Sequence, residues 1–194
     1  MTVLEAPPAP GALVRDPSAL PPLQIGRHTI TSPVVLAPMA GITNRAFRRL
    51  CRQYGNDGSV AAGASGATSL YVSEMITSRA LVERVPLTMK LIETDPDENP
   101  RSIQLYCTDP LNAGKAARIL ASEGRADHID LNFGCPVPKV TRKGGGSALP
   151  WKTELFRGIV SAVVREASPY DIPVTVKMRK GLSLIHISEP TRRR

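Results

Sequence analysis

"RSIQLYCTDPLNAGKAARILASEGRADHIDLNFGCP", residues 101–136, carries a strand, a helix and a second strand in one passage. The apolar run of "RSIQLYC" is short enough for a buried strand. Asp109 then offers a side-chain cap, Pro110 fills the first helical position, and Ala113, Ala116, Ala117 and Leu120 make an apolar stripe. Gly124 ends the helix. "HIDLN" follows as the next strand. Two strands joined by a helical crossover run parallel, because a tight hairpin cannot join parallel neighbours.

The same alternation extends both ways. "LQIGRHTITS" (23–32) predicts a short hairpin turning at Gly26-Arg27. "PVVLAPMAG" (33–41) is an apolar run ended by Pro38 and Gly41, the pattern of a buried strand. A helix follows, with Phe47, Leu50, Cys51 and Tyr54 at i, i+3, i+4 and i+7 and Thr43 or Asn44 as its cap. This places Cys51 on the buried face. "GNDGSVAAGASGATS" (55–69) is expected to be a loop, and "LYVSEM" a short strand. "RALVERVPLTMKLIETDPDENP" is mixed and ends in an acidic, Pro-bounded turn. "TELFRGIVSAVVREA" is a helix with Phe156, Ile159, Val160 and Val163 on one face, and "IPVTVKMR" is a last strand. The count is five parallel strands.

Polar residues gather where these strands end: at Pro38-Met39, Ser73-Glu74, Gln104, Asn132 to Cys135, and Lys177 to Arg179. In parallel α/β folds that face carries the chemistry. Several strands feeding one rim point to a barrel. The missing G-x-G-x-x-G after the first strand argues against a dinucleotide-binding sheet.

Composition sets outer bounds. The 194 residues are 42% hydrophobic and 4% aromatic, with a formal net charge of +8. A basic chain suits a polyanionic partner, although many basic proteins are simply kept soluble this way. Cys51, Cys107 and Cys135 are far apart and form no C-x-x-C pair, which speaks against disulfides or a metal site and for a reducing cytosol. No apolar run is long enough to span a bilayer. Residues 1–22 contain six prolines and read as a disordered leader.

Four groups of residues could carry chemistry. Cys135 sits in a turn stiffened by Pro136, and a mostly protonated thiol can donate a proton. The competing reading is a turn cysteine without a role. Lys177 lies on a strand whose alternation sets Thr175, Lys177 and Arg179 on one side, facing either a lined cavity or solvent. Lys139, Arg142 and Lys143 precede three glycines, so cationic heads and bare amides suit a phosphate-bearing ligand, although the spacing is not that of a P-loop. Gln104 can offer an amide to a ring edge, and Glu74 reads as structural.

"APMAGITNRAFRRL", "LYVSEMITSRAL", "IQLY", "DLNFGCPVPKVTRKGGGSALP" and "PVTVKMRKG" resemble, in this order, the bacterial tRNA-dihydrouridine synthases, nearest to the B-type branch, over about residues 24–181. The resemblance implies the N-terminal part, about five β/α units, of a TIM (β/α)8 barrel over residues 23–181. It implies FMN as cofactor, NADPH as reductant and uridines of tRNA as substrate, in the cytoplasm. It makes Cys135 the catalytic proton donor. Pro38, Met39, Ala40, Gln104 and Lys177 would bind the flavin. Asn132, Lys139, Arg142, Lys143 and Arg179 would lie at the substrate. The family pattern stops after Gly181, and residues 182–194 read as a non-native tail. A barrel left open there is expected to be inactive. Two other readings stand beside this one: a flavin barrel reducing a free pyrimidine or small enone, and a non-catalytic RNA-binding fragment.

Overall fold

Parallel pairing runs through the sheet in the order of the chain. The computed structural model describes residues 21–32, 34–61 and 69–179. Nearly all of the leader, the centre of the Gly/Ala/Ser segment and the tail from 182 lie outside the described residues. A hairpin comes first, as expected: β1 (Leu23–Ile25) pairs antiparallel with β2 (His28–Ile30). Its turn uses Gly26 at φ +54, where a Cβ would sit 2.9 Å from the Pro173 ring.

β3 (Val35–Leu36) pairs parallel with β4 (Leu70–Tyr71). Val72 bridges in parallel to Ser102, and β5 (Ile76–Thr77) pairs parallel with the far end of β6 (Ser102–Tyr106). The predicted "LYVSEM" strand is thus broken, and the line of chain resumes as β5. The Ser73 hydroxyl repairs the break by accepting the Gln104 amide hydrogen at 3.0 Å. β6 pairs parallel with β7 (His128–Phe133), and β7 with β8 (Val174–Met178). Among the described strands the order never reverses, as it would at the crevice of a doubly wound sheet.

Between the strands run α1 (Arg45–Ala61), α2 (Ser78–Val82), α3 (Pro86–Leu91), α4 (Pro110–Ser122), α5 (Pro138–Thr141) and α6 (Thr153–Ala167). α4 starts as its sequence dictates, with the Asp109 carboxylate accepting the Asn112 amide hydrogen at 2.8 Å and Pro110 in the first turn. Its Ala113, Ala116, Ala117 and Leu120 are buried with Ile159 and Val163 of α6 against Ile103, Leu105, Ile129 and Leu131. Gly114 lets α6 approach, with Ala162 in van der Waals contact with the place of its missing Cβ. Strand alternation therefore sends one face of β6, β7 and β8 to the helices. The other face is Ser102, Gln104, His128, Asp130, Asn132, Thr175 and Lys177.

Two expectations fail at α1. The helix continues through "GNDGSVA" to Ala61 instead of giving way to a loop at residue 55. Gly55 serves packing there, since a Cβ would lie 2.3 Å from the Tyr71 hydroxyl. The apolar stripe is also not the buried one: Leu50 is exposed, Tyr54 is 70% exposed, and Cys51 is only half-buried. Arg48 is completely buried instead, with Arg52 one turn on. Arg48 donates to both carboxylate oxygens of Glu98, at 2.6 and 3.2 Å, and to the Thr43 carbonyl at 3.0 Å. Arg45, Arg49 and Arg52 all donate to the buried Asp95. The Arg49 guanidinium, with Arg45 and Arg52 beside it, holds that carboxyl well below the usual carboxylate range. The acidic turn before β6 is therefore a buried anchor for α1 and not a solvated loop.

Removing one partner of a buried ion pair strands the other charge. Arg48→Ala is expected to cost about 3–5 kcal/mol in urea unfolding. Arg118→Ala, which breaks the surface pair with Glu166, is expected to cost far less, because solvent screens that pair. Equal losses for the two would contradict the role given to α1.

Candidate active site

A cavity of ≈ 290 Å³ opens where the parallel strands end. Pro38 and Ala40 reach it from the segment after β3, Met75 from the break before β5, and Gln104 from β6. The turn after β7 supplies Asn132, Gly134, Cys135 and Pro136, and β8 supplies Lys177 and Arg179. Seven residues singled out from the sequence thus meet in one place: Pro38, Ala40, Gln104, Asn132, Cys135, Lys177 and Arg179. The polar side of β8 faces a lined cavity. A larger hollow, ≈ 470 Å³, lies between the start of α1 and α3, but Arg45 and Arg49 in its wall are already held by Asp95.

Beneath the cavity one chain of hydrogen bonds crosses three strands. The Ser102 hydroxyl meets His128 Nδ1 at 2.7 Å, and His128 Nε2 meets the Thr175 hydroxyl at 2.9 Å. Thr175 donates to Asp130 Oδ1 at 2.6 Å. With its proton so used, Thr175 must accept from His128, which puts the imidazole proton on Nε2 and leaves Nδ1 to accept from Ser102. Asp130 Oδ2 accepts from Gln104 Nε2 at 2.6 Å. Gln104 Oε1 accepts from Asn132 Nδ2 at 3.0 Å. Asn132 Oδ1 accepts the backbone hydrogens of Gly134 at 3.3 Å and Cys135 at 3.0 Å. The position of the thiol-bearing turn is therefore set from the strand interior. Burial pushes the Asp130 carboxyl up, against the pull of its bonds from Thr175 and Gln104. Burial also pulls His128 down to about 4, with His28 acting in the same direction.

The rim of the cavity is equally tied down. Glu74 accepts the Gly41 amide hydrogen at 2.7 Å, the structural role its sequence position suggested. Met39 is not in the cavity wall; its carbonyl accepts from Ile42 and Thr43, and its side chain is partly exposed. Arg179 donates to the Gly134 carbonyl at 2.8 Å. Gly134 is bare for the sake of β8: a Cβ there would come 3.3 Å from the Lys177 carbonyl.

Lys139, Arg142 and Lys143 are exposed on α5 and the loop after it, outside the cavity wall. The glycines that follow do not present a cradle of amides. The Gly144 amide donates to Thr141 and the Gly145 amide to Val140. A Cβ on Gly145 would lie 2.3 Å from the Tyr106 ring, and one on Gly146 would lie 2.5 Å from the Cys135 carbonyl. Their role is close packing under the turn. Burial, with the nearby Cys135 and Cys107 thiols, raises the Tyr106 phenol above its ordinary value. Asp130, Thr175, His128, Ser102 and Met75 were not found as site residues from the sequence. Only the strand register, which pairs Gln104 with Asp130 and Asp130 with Thr175, brings the first four together. Among the described residues no group of three His, Cys, Asp or Glu side chains could hold a metal ion, and no helix is long and apolar enough to cross a membrane.

His128 gives a test of the buried network. The unfolded chain protonates this imidazole near pH 6.5, whereas the folded protein resists until about 4. Its contribution to stability is complete above pH 6.5 and is lost as pH falls through that window, by about 3 kcal/mol in all. Urea midpoints at pH 7 and 4.5 are expected to fall less in His128→Gln than in the wild type. An identical fall in both would show that the imidazole is not buried neutral.

A family model described as dihydrouridine synthase (Dus) matches residues 35–189, reaching past Gly181, after which the family pattern is not expected to continue. A "Probable tRNA-dihydrouridine synthase" of Mycobacterium tuberculosis is 57% identical over 166 residues, covering 86% of this chain and 41% of that protein. One of Mycobacterium leprae is 50% identical over 166 residues, covering 78% of this chain and 43% of its own length. The "tRNA-dihydrouridine synthase B" of Xanthomonas campestris is 37% identical over 169 residues, covering 87% of the chain and 46% of the relative. The chain spans about two fifths of the length of the curated relatives it matches. With the family model covering most of its residues, this chain belongs to the dihydrouridine synthase family.

Proposed function

We propose that the protein carrying this chain reduces uridine to 5,6-dihydrouridine in tRNA, in the cytoplasm, and that Cys135 is its proton donor. Residues 23–181 are then the first β/α units of a TIM (β/α)8 barrel. The parallel strands in sequential order support this. The observation that carries the chemistry is the Cys135 turn, hung by Asn132 from the interior network at the mouth of the cavity.

The residues suit a flavin ring. At ≈ 290 Å³ the cavity has the scale of a ring system, near the lower end of ligand pockets. Among the described residues Gln104, after its bonds to Asp130 and Asn132, keeps one amide hydrogen and one acceptor position free. Lys177 has no ion-pair partner among the described residues and supplies a cation at the same wall. Gln104 and Lys177 would hold the polar edge of the ring, with Pro38 and Ala40 along it. When bound, FMN reduced by NADPH supplies the hydride that C6 of the base accepts. Cys135 donates its thiol proton to C5, completing the addition of H⁻ and H⁺ across the double bond, and solvent reprotonates the thiolate. Pro136 and the Asn132 bonds fix the backbone that carries the sulfur. Asn132 would stand between cofactor and base. Arg179, Lys139, Arg142 and Lys143 would meet the RNA, whose target base must leave its stack to reach the site.

The 194 residues alone are proposed not to turn over. Among the described residues β3 pairs only with β4 and β8 only with β7, so each leaves a strand edge open.

In the longest natural form of the protein, Cys135→Ala is expected to lower dihydrouridine formation by about 10²–10⁴-fold while tRNA affinity is unchanged. Nucleoside mass spectrometry of unmodified tRNA after incubation reads this out. Undiminished turnover would remove Cys135 from the chemistry. Equal turnover of free uracil would favour the small-molecule reading.

A further inference from the structure

Trp151 is the only tryptophan of the chain and is 75% exposed. The backbone that presents it is fixed. It ends a 3-10 turn over Gly146–Trp151 whose Leu149 is fully buried. The Ser147 amide donates to the Cys135 carbonyl at 3.0 Å, and the Lys152 amide to the Leu149 carbonyl at 2.8 Å. Five residues of such a helix rise roughly 10 Å, which keeps the Trp151 backbone within the span of a nucleotide or two from the Cys135 turn.

Its surroundings are mainly cationic, and the acid that follows, Glu154, is paired with Arg157 at 3.6 Å. From 136 to 153 the sequence has Lys139, Arg142, Lys143 and Lys152 and no acid. None of the four is ion-paired among the described residues. Lys152 bends back over this loop: a Cβ on Gly144 would lie 2.9 Å from its Nζ. An exposed indole costs solubility and contributes nothing to this fold's core. Set beside uncompensated cations it has the makings of a site for one strand of nucleic acid, the ring stacking on a base and the cations meeting the phosphates.

We infer that Trp151 is a stacking platform for an unpaired base of the RNA that neighbours the target nucleotide, with Lys152 neutralising the phosphate beside it. This rests on the proposed function and extends the RNA surface to two residues beyond the Cys135 loop. A second protein is disfavoured as occupant, because the unpaired cations of this segment favour an anionic partner.

The chain carries its own reporter. Titration with a single-stranded oligoribonucleotide is expected to quench Trp151 emission, and added salt to reverse it. By anisotropy of labelled RNA, Trp151→Ala is expected to weaken binding about tenfold and Trp151→Phe far less. Lys152→Ala is expected to reduce the salt slope of log K by roughly 0.7. Far-UV circular dichroism checks that the exposed replacements leave the fold intact. RNA bound equally by the wild type and Trp151→Ala, with emission unchanged, overturns the stacking role and leaves the Cys135 chemistry standing. Emission that shifts with protein concentration in the absence of RNA, together with a dimer in sedimentation, overturns it in favour of a second copy. Absence of RNA binding by every variant at low salt overturns it as well. Dihydrouridine formation in the longest natural form then decides separately whether the proposed function survives.

Discussion

Asn132 spends its amide inside the protein, and the candidate site hangs from that expenditure. Its oxygen holds the Gly134 and Cys135 amides, and its nitrogen reaches Gln104. Everything behind it, Gln104 to Asp130 to Thr175 to His128 to Ser102, is a row of polar side chains on one face of three strands. A buried polar group left without a partner is costly, so such a row persists only when every member is satisfied. Strand register decides that. A slip of one residue in β7 would turn Ile129 and Leu131 inward and Asp130 toward the helices.

The fold was legible where local and global signals agree. In α4 the cap, the first-position proline, the alanine stripe and the closing glycine all name the same boundaries. α1 was misread because it carries two stripes of the same period. Phe47, Leu50, Cys51 and Tyr54 fall at helical spacing, and so do Arg45, Arg48, Arg49 and Arg52. Hydrophobicity favours burying the first. Asp95 and Glu98, some fifty residues away, reverse that choice by offering the second set a buried carboxylate site. Periodicity within the helix cannot reveal a partner so distant.

The site was legible at its rim and hidden beneath it. Cys135, Gln104 and Lys177 stand at strand ends in specific motifs, which is why the sequence singled them out. Asp130, His128 and Thr175 sit inside strands, where a polar residue looks like any outward position until pairing is known. The run of glycines misled in another way. Lack of a side chain suits an open amide cradle and a crowded interior equally well, and here the second holds.

Tyr106 and Gly145 occupy one volume between them. The ring fills the space where any side chain at 145 would begin, and its hydroxyl is fixed on the Val140 carbonyl at 3.2 Å. The cationic loop therefore cannot drift independently of the strand below it. A lineage that replaced Gly145 would first have to shrink Tyr106, so the two positions should change together over evolution.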